Sequence, residues 1–401
     1  MQRRLSSIRK IGLYTSISKP DFRVFKTARR VFVMNKATAQ SGLRGKKVFV
    51  GLSGGVDSAV TAALLQEAGA HVTGVFIKGW YPPGMPCTWS ADRRDAMRVA
   101  AHLRIPFLTL DASKEYKEGV IDYLLREYKA GRTPNPDIMC NREVKFGAFA
   151  TYAFEQGADF IATGHYAQTH IDTNDTSAQT SPNVHLLRGI DEDKDQSYFL
   201  WAVPKASLSR TLFPVGGMPK SAVRELARAH RLPNAAKRDS QGICFLGTIS
   251  VEDFLLQEFG STPGKALNTE GAVIGAHNGA ILHTLGERVS LSDAPQGPWY
   301  VVDKDIEHNT LTVSHTHQRD THGANSTEPA RSISLLETNF FTTPIAGDSI
   351  LAQYRYHGPR ITGTYTQGAF TPDLPLPEAI ASGQSLVLYQ GEECIGGGII
   401  A

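Results

Sequence analysis

The chain lacks the features of a disulfide-stabilised or membrane-spanning protein. Its 401 residues contain four scattered cysteines, Cys87, Cys140, Cys244 and Cys394, which form no C-x-x-C pair. Free thiols in a reducing compartment are therefore expected, rather than a disulfide framework or a metal site. No apolar run approaches the roughly 20 residues that a membrane helix needs, so we predict no membrane partner.

Acidic residues are nearly absent from the amino-terminal segment. Residues 1–47 carry 13 Lys or Arg against one acid, Asp21, although the formal charge of the whole chain is only +3. Residues 1–45 form a basic extension that is predicted to be a disordered segment, a mitochondrial transit peptide, or an upstream stretch if Met34 is the real start. The expected location is the cytoplasm, or the mitochondrial matrix if residues 1–40 are a transit peptide.

Strand and helix patterns alternate along residues 46–205. Short apolar runs predict strands at 47–52, 71–77, 106–110 and 159–162, and helical patterns are found at 56–68, 91–103, 114–128 and 144–155. This spacing predicts a doubly wound parallel α/β domain, whose ligands bind beyond the carboxyl ends of the strands. Polar residues 172–182 are predicted to be the loop of a hairpin.

The remainder of the chain divides into two smaller predicted domains. Residues 206–294 show short helices between Pro and Gly turns, which indicates a central connecting domain. Residues 295–401 show short alternating runs, which are typical of a small C-terminal β-barrel.

A glycine-rich segment follows a predicted strand and opens a predicted helix. It consists of Gly51, Leu52, Ser53, Gly54, Gly55, Val56, Asp57 and Ser58. Glycine N–H groups, serine hydroxyls and a helix N-terminus together favour a bound phosphate, although a Gly-rich turn without a ligand stays the alternative. The G-K-[ST] ending of a Walker A loop is missing. The segment resembles instead the PP-loop of ATP pyrophosphatases, which implies ATP and adenylation chemistry. Because the charge of Asp57 opposes phosphate, we expect Mg²⁺ nearby.

A stiff polar loop precedes Cys140. Pro134 and Pro136 hold this backbone extended, and a helix that begins at Asn141 would place Cys140 at its N-terminus, where the dipole lowers a thiol pKa. Asp137, three residues earlier, is a candidate acid or base. The alternative is an inert buried thiol.

Cys244 follows the cationic pair Lys237-Arg238 and Gly242, a setting that favours a thiolate or persulfide. Taken alone, Ile243-Cys244-Phe245 is equally consistent with a core strand. Together with Cys140 and the phosphate loop, Cys244 indicates a sulfur relay.

From about residue 46 to 400 the chain resembles the tRNA-specific 2-thiouridylase family. The matching stretches are GLSGGVDS at 51–58, GRTPNPDIMCN at 131–141, TGHY at 163–166, LLRGIDEDKDQSYFL at 186–200, KRDSQGICFLG at 237–247, PWYVVDKD at 298–305 and GGGII at 396–400. The resemblance implies a PP-loop domain, a central domain and a C-terminal β-barrel. It also implies that the wobble uridine of tRNA is adenylated by ATP and then thiolated, with sulfur from a persulfide donor protein.

The resemblance also assigns individual residues. Cys244 would carry the persulfide, Cys140 would be the nucleophile that forms a transient disulfide with it, and Asp137 would be the acid or base. The implied ATP-binding residues are Gly51–Ser58, Ile77 and Gly164. The implied tRNA-binding residues are Asn135, Pro136, Asp137, His165, Lys194, Asp195, Gln196, Arg355, Tyr356 and Gln384.

Some of these residues are also consistent with purely structural roles. His165 is equally suited to a hydrogen-bonded core position, and Arg355 and Tyr356 to alternating faces of a strand. Glu287 stands where the family usually has Gln, and the glycine-rich stretch that normally follows is shortened to 289–298. For the whole chain, the competing interpretations are another PP-loop enzyme, such as an amide-forming ligase or a tRNA-lysidine-type synthetase, and a non-catalytic RNA-binding protein.

Overall fold

The computed structural model describes residues 42–82, 89–171, 183–239, 250–316, 332–376 and 380–401. Most of the basic extension therefore lies outside the described residues, as do Cys87 and Cys244. Within the described ranges, every helix is too short or too polar to cross a lipid bilayer.

A five-stranded parallel sheet forms the centre of the first domain and confirms the predicted α/β fold. Its strands are β1 (Lys47–Gly51), β2 (His71–Lys78), β3 (Phe107–Asp111), β4 (Phe160–Ala162) and β7 (Thr211–Leu212), in the order β3-β2-β1-β4-β7. The runs of Val, Ile and Phe in β1 and β2 are buried, as expected for a parallel sheet that is covered on both faces.

In the part of the chain that the structure describes, four long helices connect these strands or pack beside them. They are α1 (Val56–Glu67), α2 (Trp89–Leu103), α3 and α4. The third, α3, runs through α-helical Ser113–Tyr116, π-helical Lys117–Ile121 and α-helical Asp122–Lys129. The fourth, α4, runs through α-helical Pro136–Met139, π-helical Cys140–Ala148 and α-helical Phe149–Glu155.

The first domain extends beyond residue 205, where the sequence pattern predicted its end. Strand β7 pairs with β4 in the parallel sheet. After the short helix α5 (Lys205–Leu208), helix α6 (Lys220–Ala229) buries Ala222, Val223 and Ala227 in the same apolar cluster as α1. The apolar stripe of α6 thus completes the cover of the sheet, which explains why the helical pattern continues past the predicted boundary.

The central domain is built on a sheet and not mainly on short helices. After helix α7 (Val251–Phe259), strands β8 (Gly264–Leu267), β9 (Val273–His277), β10 (Arg288–Val289), β11 (Trp299–Asp305) and β12 (Thr310–Ser314) pair in the order β10-β11-β12-β8-β9. The sequence pattern assigned β11 and β12 to the C-terminal barrel, and this assignment was wrong. Their inward side chains, Val301, Leu311 and Val313, form a separate small core with Val289.

The C-terminal domain is a closed β-barrel, as predicted. Strands β13 (Ile333–Phe340), β16 (Ala369–Pro372), β15 (Arg360–Thr366), β14 (Ile350–Gln353), β17 (Ser385–Gln390) and β18 (Glu393–Ile400) are neighbours in that order, and β13 also pairs with β18. This last pairing closes the ring and leaves no open edge between these six strands.

A hairpin from the first half of the chain joins this barrel. Strands β5 (Ala167–Ile171) and β6 (Val184–Arg188) are antiparallel, which agrees with the predicted hairpin, and β6 continues the sheet alongside β18. A hairpin from the α/β part of the chain therefore belongs to the sheet of the barrel, which connects the two domains.

Candidate functional site

A cavity of about 550 Å³ lies where the strand order of the parallel sheet reverses, between β1 and β4. In open α/β sheets this switch point is where ligands bind, and the volume is that of an ordinary small-molecule site. The lining residues include Gly51, Leu52, Ser53, Gly55, Val56, Asp57, Ser58, Val75, Ile77, Lys145, Thr163, Gly164, His165, Tyr166, Asp193, Lys194, Gln196, Lys220, Arg238, Asp239, Tyr356 and His357. Nearly all the predicted ATP residues are thus gathered at one place.

The loop at residues 51–58 wraps around the start of α1. Ser53 and Ser58 place their hydroxyl oxygens 3.3 Å apart, and the Gly55 N–H donates to Ser53 Oγ at 3.3 Å. Gly55 caps α1 without a side-chain acceptor, so the first N–H groups of this 12-residue helix point towards the cavity. Such a cluster of donors fits a phosphate group.

Gly54 is the predicted ATP residue that faces away from the cavity. Its φ is +79°, and a Cβ there would lie 2.5 Å from the Asp92 carbonyl oxygen. Glycine is required here because α2 packs directly against the loop. Glycine at this position therefore fixes the shape of the loop.

Gly164 brings the end of β4 into contact with the same loop. A Cβ at this position would lie 2.7 Å from the Ser58 backbone nitrogen and 2.8 Å from the Asp57 carbonyl carbon. Only glycine allows the two backbones to approach this closely, so the sequence TGHY forms one wall of the cavity. Asn234 holds the loop from its other side, since its amide donates to the Gly54 and Gly55 carbonyl oxygens at 2.9 and 3.0 Å.

The carboxylate of Asp57 is already neutralised by a side chain. Lys220 Nζ donates to both of its oxygens at 2.8 Å, and the Tyr166 hydroxyl donates to Oδ1 at 2.8 Å. Burial and the negative charge of Asp57 raise the pKa of Tyr166 above its ordinary value, so this hydroxyl keeps its proton. Lys220 therefore gives Asp57 a counter-ion within the chain, and Mg²⁺ near the loop stays a prediction. Among the described residues, no three His, Cys, Asp or Glu side chains cluster as a metal site.

Asp239 is fixed by three cations beside the cavity. Its carboxylate lies 2.9 Å from Lys220 Nζ, 2.6 Å from Arg224 Nη2 and 3.3 Å from Lys194 Nζ. Burial alone would raise the pKa of Asp239, but Lys220 and Lys194 outweigh it and hold the pKa below its ordinary value. Asp239 is the last described residue before the segment that contains Cys244, so that segment begins at the wall of the cavity.

His165 is a buried residue whose ring forms part of the same wall. Its Nδ1 lies 2.8 Å from Thr163 Oγ1, and its Nε2 lies 3.4 Å from Lys145 Nζ. Burial and the charge of Lys145 hold the pKa of His165 well below its ordinary value, so the imidazole is neutral. His165 contacts protein on both nitrogens, which agrees with the core interpretation.

Cys140 lies one turn inside helix α4, and not at its N-terminus as predicted. The helix begins at Pro136, because the Asn135 side chain caps it by accepting from the Asp137 and Ile138 N–H groups at 3.1 and 3.3 Å. The dipole effect is confined to the first turn, so it gives Cys140 little assistance. The Cys140 side chain is 1% exposed and does not line the cavity.

A change in helix geometry begins at Cys140. The π-helical segment Cys140–Ala148 widens α4, and Lys145, one π turn after Cys140, lines the cavity. Asn141 donates to the Phe199 carbonyl oxygen at 2.9 Å, and the Phe199 ring lies 4.5 Å from the ring of Tyr356, which also lines the cavity. The helix that carries Cys140 is therefore in direct contact with the cavity wall, although its thiol is covered.

The loop before α4 lies at the junction of all three domains. The Thr133 N–H donates to the Ser382 carbonyl oxygen of the barrel at 2.8 Å, and Thr133 Oγ1 donates to Thr284 Oγ1 of the central domain at 3.3 Å. Gln384, a predicted tRNA residue, donates to the Thr133 carbonyl oxygen at 2.8 Å. Gln384 therefore anchors the loop from the barrel.

The other predicted tRNA residues separate into two groups. Lys194, Gln196, His165 and Tyr356 line the cavity. The remaining residues, Asn135, Pro136, Asp137, Asp195 and Arg355, lie outside its lining. Asp195 holds a turn by accepting from the Gly189 and Ser197 N–H groups at 2.9 and 3.1 Å.

Sequence reasoning missed several residues of the site. Each of these residues is charged or hydrogen-bonds the phosphate loop or its surroundings, and each lies far from the loop along the chain. They are Lys145, Tyr166, Lys220 and Asn234. Lys220 was placed in the connecting domain, so its pairing with Asp57 was not anticipated. The TGHY motif includes Tyr166 and could have identified it as a site residue. The sequence does not, however, show that its hydroxyl contacts Asp57.

Comparison with known proteins identifies three consecutive family models. Residues 46–248 match the tRNA methyl transferase HUP domain, residues 252–315 the tRNA methyl transferase PRC-barrel domain, and residues 349–400 the aminomethyltransferase beta-barrel domain. The first range contains the parallel sheet and extends through α6, the second contains the strands of the central sheet, and the third contains the barrel strands β14–β18.

Curated relatives cover nearly the whole described chain. The tRNA-specific 2-thiouridylase MnmA of Lacticaseibacillus paracasei is 42% identical over 368 residues, which are 88% of this chain and 94% of that protein. The tRNA-specific 2-thiouridylase MnmA of Pseudomonas putida is 43% identical over 370 residues, with the same coverage. Among solved structures, the U34-tRNA thiolase NcsA of Methanococcus maripaludis is 17% identical, covers 59% of this chain and 75% of that chain, and has a TM-score of 0.36, which supports no further argument.

Proposed function

Because the chain belongs to the family of the tRNA-specific 2-thiouridylases MnmA, we propose that it is a tRNA-uridine 2-sulfurtransferase that converts a wobble uridine to 2-thiouridine. One structural observation carries the proposal. The phosphate loop, the helix of Cys140 and the root of the Cys244 segment all meet at one cavity. An amide-forming ligase would need the loop alone.

The first proposed step is adenylation of the uridine C2 oxygen, with release of pyrophosphate. The N–H groups of the loop, together with Ser53 and Ser58, bind the phosphates of ATP. Leu52, Val75 and Ile77 supply the apolar part of the cavity. Because Gly164 packs closely on the loop, the N–H donors of the loop are held in fixed positions. They can therefore stabilise the transition state without having to reorient.

Mg²⁺ enters the proposal only as a counter-ion of the triphosphate. The described residues place no free carboxylate cluster at the loop, and Asp57 is engaged by Lys220 and Tyr166. The chain therefore supplies cations of its own, Lys194, Lys220 and Arg238, around the position of the phosphates.

The second proposed step is sulfur transfer. A persulfide on Cys244, loaded by a donor protein, attacks C2, and the C2–O bond breaks with its electron pair going to AMP. The Cys140 thiolate then attacks the sulfur of Cys244, so the persulfide S–S bond breaks and its electron pair stays with the sulfur on uridine. The two cysteines are left as a disulfide, which a thiol reductant must reopen. Asp137 is proposed to exchange the proton of Cys140.

The covalent chain keeps Cys244 near the cavity wall, because Asp239 is part of that wall. Cys244 is five positions after Asp239, and five residues span at most roughly 17 Å. Cys140 is buried in this structure, so the proposed attack requires a rearrangement on tRNA binding that exposes its thiol. The uridine must leave the anticodon stack to reach the cavity, where Tyr356 offers a stacking surface and Lys194 a phosphate contact.

The test is mass spectrometry of tRNA nucleosides after incubation of the full chain with unmodified tRNA, ATP, Mg²⁺ and a persulfide source. We expect 2-thiouridine, AMP and pyrophosphate in equal amounts. Pyrophosphate without 2-thiouridine, together with incorporation of an added amine, would instead support an amide-forming or lysidine-type enzyme. Binding of tRNA without any pyrophosphate would support a non-catalytic protein.

A further inference from the structure

Lys145 reaches the cavity from the same helix as Cys140, and its ammonium is held by His165. The distance from Lys145 Nζ to His165 Nε2 is 3.4 Å. An ammonium group can only donate hydrogen bonds, so His165 Nε2 must be the acceptor. The neutral ring then carries its proton on Nδ1 and donates it to Thr163 Oγ1 at 2.8 Å.

The ring of His165 is fixed by apolar neighbours. Phe146 and Phe213 pack against it with centroid distances of 5.7 and 6.1 Å. Because the acceptor cannot swing, the ammonium of Lys145 is held at one place in the cavity wall. Preorganised donors of this kind stabilise charge that develops during a reaction, because they do not have to reorient.

The position of Lys145 lies between the two parts of the proposed reaction. On one side, Gly164, next to His165, touches the backbone of Asp57 and Ser58 in the phosphate loop. On the other side, Cys140 precedes Lys145 by one turn of the π-helical segment. Lys145 lines the same cavity as the phosphate loop and belongs to the helix of Cys140, so its ammonium is available to groups that react in this cavity.

We propose that Lys145 is a further catalytic residue, which binds the oxygen that leaves the uridine C2 atom during sulfur transfer. This inference rests on the proposed function. When the persulfide sulfur bonds to C2, the C2–O bond breaks and its electron pair stays on oxygen, so the phosphate of AMP gains one negative charge. Lys145 donates a hydrogen bond to that oxygen and keeps its proton throughout.

The cation is selective for the second step. In ground-state adenylated uridine the bridging oxygen carries little charge, whereas the departing AMP carries its full phosphate charge. An interaction that strengthens only as the bond breaks lowers the barrier for that step. His165 is accordingly a positioning residue, because it acts through Lys145.

The experiment compares Lys145→Met, which removes the charge, with Lys145→Arg, which keeps it. Lys114→Met is the control, since Lys114 is an exposed lysine on α3. Pyrophosphate release, AMP release and adenylated tRNA are measured in single turnovers with persulfide-loaded enzyme. We expect Lys145→Met to slow AMP release and 2-thiouridine formation about 100-fold, with adenylated tRNA accumulating. Lys145→Arg should recover most of the AMP-release rate, and Lys114→Met should match the unmodified chain.

Two outcomes would overturn the assignment. One is AMP release by Lys145→Met at the rate of the Lys114→Met control. The other is equal loss of AMP release in Lys145→Met and Lys145→Arg, together with equally lowered melting temperatures, which would indicate a purely structural lysine. Failure of the unmodified chain to form 2-thiouridine would instead refute the proposed function, so the two failures are distinguishable.

Discussion

Lys220 bridges two carboxylates, Asp57 in the phosphate loop and Asp239 at the root of the Cys244 segment. Its ammonium lies 2.8 Å from both oxygens of Asp57 and 2.9 Å from Asp239 Oδ1. The lysine side chain is 14% exposed, so these contacts are partly shielded from solvent. The two halves of the proposed chemistry are therefore joined through one charged group.

Removing this bridge should impair both the loop and its surroundings. Lys220→Met leaves Asp57 without a cation, so we expect adenylation to fall about 100-fold and stability to fall by about 1–3 kcal/mol. Pyrophosphate release and a urea titration measure the two effects. The double variant Asp57→Asn with Lys220→Met should regain stability without regaining adenylation. If Lys220→Met adenylates tRNA normally, the ammonium is not needed at the phosphates.

Gly164 should tolerate no side chain. In Gly164→Ala the new Cβ would press on the Ser58 nitrogen, and a shift of the loop by about 1 Å is enough to slow adenylation about 100-fold. Pyrophosphate release measures this effect. Gly42→Ala is the control, because its Cβ would meet no atom within 4 Å. Equal activity of the two variants would contradict the packing of Gly164 on the loop.

The cysteines should fail at different stages. Cys244→Ser should adenylate tRNA but transfer no sulfur, and Cys140→Ser should accumulate persulfide because no thiol displaces it. Cys394→Ser serves as the matched control, since Cys394 is buried in the barrel. Pyrophosphate, 2-thiouridine and protein-bound persulfide are measured for each variant. Normal 2-thiouridine formation by Cys140→Ser or Cys244→Ser would refute the relay.

His165 should make stability sensitive to acid. Its pKa is lowered in the folded chain, so below about pH 6.5 the unfolded chain binds a proton that the folded chain does not. Stability from this group is therefore present above pH 6.5 and is lost as pH falls towards the lowered pKa. Urea midpoints from pH 7.5 to 5.5 should drop more for the unmodified chain than for His165→Gln. Parallel curves would show that His165 does not titrate in this way, and His71→Gln, at an exposed position, controls for general effects.

Arg355 tests the predicted contact between the barrel and tRNA. Arg355→Ala should weaken tRNA binding and lower the slope of log affinity against log salt by about one, as expected for one lost phosphate contact. Arg360→Ala removes a second exposed arginine of the barrel and is the control. Identical slopes for the two variants would favour the interpretation of Arg355 as an ordinary surface residue.

Local patterns predicted the parallel sheet, the phosphate loop and the family, and the comparisons confirm the family. Local patterns did not predict features that depend on contacts between residues far apart in the sequence. Strands β11 and β12 have the same alternation as the barrel strands, so only their pairing with β8 and β10 reveals their domain. The start of α4 depends on Asn135 as its cap and Pro136 at the first helical position, a helix-start pattern that was interpreted as an extended loop. Lys145 could not be identified from the sequence because its proposed role depends on its contact with His165.

The hairpin of β5 and β6 has a consequence for the order in which the chain folds. Leu186 and Leu187 pair with Cys394 and Glu393, roughly 200 residues later. During synthesis the edge of β6 must therefore stay unpaired until Glu393 and Cys394 have left the ribosome. Contacts of such long range close slowly, and an unpaired strand edge is prone to wrong association in the meantime. Truncation of the last strand should thus expose β6 and lower the soluble yield of a chain whose α/β domain is intact.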